Sequence, residues 1–199
     1  GLFENVEEFD IDFLLMGSGS YATATAQALA NKLIAVAELR KDAVAFISPN
    51  KSTFISGAGT DSATVASAAD ITNNVLEFYA PITSSTYAVL DSGYKYMFDR
   101  FGNTFRYIPL NGDIAGTCAR NDINNFPWFS PAGTARGAIL NAVKLGYNPN
   151  QSQRDKLYTN RINPVIFSPG AGIVLFGDKT AFGKSSAFDR INVRRLFIF

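Results

Sequence analysis

Apolar positions in this chain fall into short unbroken runs separated by helical stripes. Ile11–Met16 is the first run and reads as a buried strand. Gly17-Ser18-Gly19-Ser20 breaks it, and a helix follows over about 21–40. In that helix Ala26, Leu29, Ala30, Leu33, Val36 and Ala37 recur at three- and four-residue spacing, which places them on one stripe. Arg40 and Lys41 suit its C-terminal end, where cations meet the negative pole of the helix dipole. Ala43–Ile47 is a second buried run, closed by Ser48-Pro49-Asn50. Strand, helix and strand in this order predict a parallel, right-handed β-α-β unit. Ahead of it, residues 1–10 are acidic with Leu2, Phe3, Val6 and Phe9 interspersed, a lead-in turn or short helix.

A Gly/Ser/Thr-rich loop is expected over 51–62 and a second helix over 63–79. Its apolar side is read as Val65, Ala68, Ala69, Thr72, Val75, Leu76 and Tyr79, and Pro81 stops it. Tyr87–Leu90 reads as a third strand. From Tyr94 the period changes to two: Tyr94, Tyr96 and Phe98 alternate with Lys95, Met97 and Asp99, the chain turns at Gly102-Asn103, and Phe105 and Tyr107 resume the pattern. This predicts a hairpin ending at Pro109. A short helix over 111–119, capped by Asn111 or Asp113, is expected next. Then come an irregular stretch (Asn121–Gly137), a segment ambiguous between strand and helix (Ile139–Leu145) and a polar helix (Asn150–Thr159). A second hairpin follows, in which Val165–Phe167 and Ile173–Phe176 flank Pro169-Gly170-Ala171-Gly172. The expected fold class is α/β (α+β): one domain over residues 1–199, with a mixed β-sheet core flanked by helices and two β-hairpins.

Composition narrows the chemistry. A chain of 199 residues can bury a sizeable core, and 47% hydrophobic with 18% charged residues fits a globular protein. The net charge of +1 provides no global field for nucleic acid or membrane. Its distribution is uneven: residues 1–50 hold seven acids against three bases, a net −4, and residues 154–199 hold eight bases against three acids, a net +5. An acidic start and a basic end either favour head-to-tail association or are ordinary solvated faces. There is no histidine and one cysteine, Cys118. This excludes Ser-His-Asp and Cys-His catalysis, histidine metal ligation and an internal disulfide. No apolar run approaches the roughly 20 residues that span a bilayer, and no signal peptide is expected. The chain opens on Gly1 and ends within a hydrophobic element at Phe199, so a piece of something larger is expected.

Two glycine motifs call for a test of nucleotide binding. Gly17-Ser18-Gly19-Ser20-Tyr21-Ala22 fits the dinucleotide fingerprint between a strand and a helix, but Ser48-Pro49-Asn50 stands where an acid should hold the ribose. A tight turn that needs small residues is the plainer use. Gly183-Lys184-Ser185 ends like a phosphate loop, yet five residues separate Gly177 from Gly183 where the motif has four. Asp91, Asp99, Asp113, Asp122 and Asp178 show no catalytic spacing. Trp128, among prolines, either stacks on a sugar or base or is covered by its own loop. Arg194 and Arg195 suit a phosphate or acidic partner, although adjacent residues on a helix point about 100° apart.

The segment Phe188-Asp189-Arg190-Ile191-Asn192-Val193-Arg194-Arg195-Leu196-Phe197 resembles the C-terminal motif of tail sheath proteins from contractile-tailed, T-even-like bacteriophages. Gly177-Asp178-Lys179-Thr180, Leu110–Gly116, Pro127–Gly133 and Gln153–Tyr158 match the same pattern in order, and Ile162-Asn163-Pro164-Val165 leads into the second hairpin. The resemblance implies a structural subunit with no active site, cofactor or metal. Its implied partners are neighbouring sheath subunits, the tail tube protein, the baseplate and the tail terminator, with no direct nucleic-acid contact and no membrane insertion. Its implied place is the virion tail, after assembly in the host cytoplasm. It also implies that an N-terminal part, outer domains and a C-terminal arm lie outside this chain, which alone would be monomeric. The basic end, Lys184, Arg190, Arg194 and Arg195, is expected to face the tube or a neighbouring subunit.

Overall fold

The computed structural model describes residues 4–55 and 66–198. Its centre is a parallel sheet of β1 (Phe13–Leu15), β2 (Val44–Ile47), β3 (Ala88–Asp91) and β7 (Ile162–Asn163), in that spatial order. α1 (Thr23–Arg40) joins β1 to β2, and α2 (Ala68–Tyr79) lies between β2 and β3. The expected start of the second helix at 63, with Val65, and most of the preceding loop lie outside the described residues. The antiparallel pairings form two separate sheets. One is the hairpin of β4 (Tyr94–Asp99) and β5 (Thr104–Pro109), with β6 (Lys144–Leu145) on the other side of β4. The other is the hairpin of β8 (Val165–Ser168) and β9 (Gly172–Leu175). α3 (Asn111–Asn124), α4 (Gln151–Thr159) and α5 (Ile191–Leu196) complete the chain.

Side chains alternate across a strand, so the central sheet separates two cores. Ile47, Ala88 and Leu90 pack with Ala26, Ala30 and Ile34 of α1 and Ile71, Val75 and Phe78 of α2. Val44, Phe46 and Val89 point the other way, toward Ile114 and Cys118 of α3, Val165, Leu175 and Ile191. Each fully buried aliphatic or aromatic side chain contributes about 1.5–3 kcal/mol by leaving water.

The helix faces differ from the expected stripes. On α1 the buried line runs through Ile34, whereas Leu29 is 37% exposed. On α2, Ile71 and Phe78 are buried and Ala69 faces solvent. α1 carries apolar residues around much of its circumference, and the sheet selects which line is covered, whereas α2 buries the one apolar side through Ile71, Val75 and Phe78. α3 is longer than expected, running to Asn124, and no side chain caps it. Asn111 and Asp113 are engaged elsewhere: Asn111 donates to Gly17 O at 2.7 Å, and Asp113 takes Lys95 Nζ at 2.7 Å. The ambiguous stretch from Ile139 to Leu145 is irregular. It stitches to β9 through Ile139 N–H to Ile173 O, and to β4 through β6. α4 starts with a capping box, in which Asn150 and Gln153 satisfy each other's backbone N–H.

Arg40 closes the bottom of the sheet, where the parallel strands begin. Its side chain is fully buried, forks onto both oxygens of Asp42 at 2.9 and 2.8 Å, and donates to Phe9 O at 2.7 Å and Asn5 O at 3.3 Å. The acidic lead-in is thereby fixed as a turn beneath α1.

Candidate functional site

The basic end is not one patch. Lys184 and Arg190 are exposed, while Arg194 and Arg195 are turned into the protein. Adjacent helical positions diverge by about 100°, and the two side chains take different routes. Arg194 lies between the rings of Tyr87 and Phe188, 4.1 Å from each centroid, and donates to Thr86 Oγ1 at 2.9 Å. Arg195 is 1% exposed, pairs with Asp122 of α3 and donates to Cys118 O at 3.2 Å. The turn over Gly183-Lys184-Ser185 is held by its backbone: Ser84 Oγ accepts from Gly183 N–H at 2.6 Å, and Arg161 donates to Gly183 O at 2.5 Å.

Arg190 belongs to a polar node. It pairs with Asp178 and donates to the Tyr158 hydroxyl at 2.7 Å, and Ser130 donates to the other Asp178 oxygen at 2.9 Å. Lys179 sits over the Tyr158 ring, 3.8 Å from its centroid, and donates to Tyr158 O at 3.1 Å. Burial, and next the Asp178 carboxylate, push the Tyr158 phenol up; burial, and next the Arg190 charge, push the Lys179 ammonium down. Asn163 fastens the same loop to the sheet, donating to Leu90 O and Lys179 O and accepting from Lys179 N–H.

The glycine turn after β1 is filled by protein. Gly17 and Gly19 have φ of 66° and 58°, which glycine adopts without strain. A Cβ on Gly19 would stand 2.7 Å from Met16 Cε. Gly17 O is taken by Asn111, and Asn50 donates to Tyr21 O at 2.8 Å. Ser48 faces inward, donating to Asp91 at 2.5 Å and accepting from Asn111. Nothing here supports the nucleotide-binding alternative. Among the described residues no cluster of His, Cys, Asp and Glu suits a metal, and no helix is long and apolar enough to cross a membrane.

Large apolar side chains are exposed at several places, two of which carry clustered aromatic rings. In the last turn of α3 Ile123 is 83% exposed, and just after the helix Phe126 and Trp128 are about half exposed, their rings stacked at 4.4 Å. This loop is firmly supported: Asn121 donates to Phe126 O and Phe129 O, Asn192 to Trp128 O, and Arg136 to Ser130 O. Trp128 is therefore only half covered by its loop. The second place is the tip of the β4–β5 hairpin, with Phe98, Phe101 and Phe105.

The pattern of the phage tail sheath protein central domain matches residues 2–181. The chain belongs to the phage tail sheath family. The tail sheath protein of Enterobacteria phage T4 is 39% identical over 201 residues, 98% of this chain and 30% of that protein. That of Vibrio phage KVP40 is 45% identical over 81% of this chain and 25% of its own length. The chain thus spans about a quarter to a third of the sheath relatives it matches. Its fold is similar to the anti-feeding prophage helical sheath in the contracted state (TM-score 0.63, 18% identity, 97% of this chain and 45% of that one). It is likewise similar to an extracellular contractile injection system sheath complex in the contracted state (TM-score 0.62, 19% identity, 95% and 45%).

The sheath-like segments 127–133, 153–158, 177–180 and 188–197 are far apart in sequence, yet Ser130, Tyr158, Asp178, Lys179 and Arg190 meet at one point. The segment 188–197, which resembles the sheath C-terminal motif, lies beyond the residues matched by the family pattern. It is nonetheless tied to this domain by Arg194, Arg195 and Asn192. Sequence reasoning named Asp178 as a carboxylate without catalytic spacing and did not single out Tyr158; no spacing connects the two.

Proposed function

We propose that this chain is the core domain of a contractile tail sheath subunit. Copies polymerise helically around a tail tube, and their rearrangement drives the tube through the host envelope to deliver the genome. The observation that carries this reading is membership of the tail sheath family along nearly the whole chain. Heterologous contacts between identical subunits generate a helical tube without any catalytic site. Work is then done by the difference in contact energy between two packings, so the chain catalyses no reaction and needs no cofactor. Its partners in this reading are neighbouring subunits, the tail tube protein, the baseplate and the tail terminator. It assembles in the host cytoplasm and ends in the virion tail.

The four basic residues divide by exposure. Lys184 and Arg190 face the tube or a neighbouring subunit, and Arg194 and Arg195 hold α5 in the orientation that presents them. The 199-residue chain by itself is monomeric. Electron microscopy of the full-length protein tests the reading: long tubes are expected, and their absence with and without tube protein overturns it. Lys184→Glu is expected to weaken sheath formation on tubes while leaving the thermal unfolding temperature unchanged, whereas Arg190→Glu, which also breaks the pair with Asp178, is expected to lower that temperature as well.

A further inference from the structure

We propose that α5 is a strap with a docked and a released state: residues 192–198 lift off α3 as one unit, hinged at Ile191, while the rest of the domain stays folded. The proposal concerns a single copy of the chain and stands apart from the sheath reading.

The hinge is firmly held. Ile191 is fully buried in the second core, and its N–H is taken by Asp178 O at 2.8 Å. Just ahead of it Lys179 and Arg190 form an antiparallel bridge. Thr180 donates through its N–H to Asp189 O and through its hydroxyl to Phe188 O, both at 2.9 Å. Past Ile191 the apolar attachment is thin. Ile198 is half-buried against the second core, whereas Leu196 and Phe197 are exposed, Phe197 meeting the Phe188 ring edge-on at 5.4 Å.

Polar groups hold the strap down. Asn192 donates to Trp128 O at 2.8 Å, Arg194 to Thr86 Oγ1 at 2.9 Å, and Arg195 to Cys118 O at 3.2 Å beside its pair with Asp122. These bonds leave Arg195 Nε and Nη1, Arg194 Nε, Asn192 Oδ1 and Asp122 Oδ1 buried without partners. Among the described residues Ser48, Asp91 and Asn111 leave no such atom. An unmatched buried polar group costs about 1–3 kcal/mol, which is regained when water reaches it. Release of the strap hydrates these five atoms together, so release takes much less free energy than unfolding the domain. Local openings draw on segments of this kind, with few buried apolar contacts.

The strap covers the one cysteine of the chain. Cys118 is fully buried, and Arg195 lies against it. Burial pushes its thiol up to about 12, with the Arg195 charge acting against that. A buried thiol shifted in this way is inert to alkylation, and release brings water and reagent to it.

Maleimide labelling of Cys118 in the unassembled full-length protein, located by peptide mass spectrometry, tests this. Labelling is expected without urea, at a rate that hardly changes through low urea and climbs steeply where the whole domain unfolds. Arg195→Ala should raise the low-urea rate about a hundredfold, because Asp122 is then stranded beneath the docked strap. Asn192→Ala leaves Cys118 and Asp122 in place and should raise the rate several-fold by removing the bond to Trp128 O. Ser48→Ala weakens the domain but not the strap, so it should shift the steep limb alone. Labelling that follows global unfolding at every urea concentration overturns the strap. So does a low-urea rate that Asn192→Ala leaves unchanged, or that Ser48→Ala raises as much as Asn192→Ala does. If Arg195→Ala does not fold, the Asn192 and Ser48 variants decide between these outcomes.

Discussion

Two buried polar clusters sit at opposite edges of the central sheet and are built differently. At the ends of β2 and β3, Ser48, Asp91 and Asn111 form a closed knot. The Ser48 hydroxyl donates to Asp91 at 2.5 Å and accepts from both nitrogens of Asn111, while Asp91 accepts from Gly93 N–H at 2.9 Å. At the other edge, Arg195 pairs with Asp122 and Cys118 O, but Arg195 Nε and Nη1 and Asp122 Oδ1 are buried without a hydrogen-bond partner. A fully connected network fixes one arrangement, whereas a partly satisfied buried ion pair contributes little net stability and much orientation. The first knot sets how the hairpin and α3 leave the sheet. The second docks α5 by a link that another packing can replace.

The difference can be broken most severely at Arg195. Arg195→Ala strands Asp122 and is expected to lower unfolding free energy by about 3 kcal/mol, measured by urea denaturation. Arg195→Met with Asp122→Leu should recover most of that loss; a double variant as unstable as the single one would contradict the comparison. Ser48→Ala ranks next, since three groups of the closed knot lose one partner. A loss of about 2 kcal/mol is expected, with no recovery from a companion change at Asn111.

Asp91 comes last, and its effect is read by varying pH. Burial pushes its carboxyl up to about 8, against the opposing effect of its Ser48 and Gly93 hydrogen bonds. The folded value lies above the ordinary carboxylate value of 3.8, so its contribution is complete below the latter and is lost progressively as pH rises through about 8. The wild-type unfolding temperature should therefore fall by a few degrees relative to Asp91→Asn between about pH 6 and 9. Parallel curves for the two proteins would show that Asp91 does not titrate in this range.

Much of the fold was legible because the pattern is local. The β1–α1–β2 unit, both hairpins and the polar helix α4 follow from apolar runs, period-two alternation and turn residues. β7 was not legible, because two residues before Pro164 are too short for any period to register. α3 was read short because Gly112, Gly116 and its Asn- and Asp-rich second half lower helix propensity; packing of Ile114, Ala115 and Cys118 against the sheet overrides that. The basic end was legible as charge but not as direction. The destinations of Arg194 and Arg195 depend on Tyr87 and Asp122, which no spacing connects to them.

That divergence has a mechanical consequence. A pull on α5 reaches two anchors together, one at Thr86 and Tyr87 just before β3 and one on α3. The anchors are loaded in parallel, so the helix resists shear until both yield at once, and it does not peel away one residue at a time.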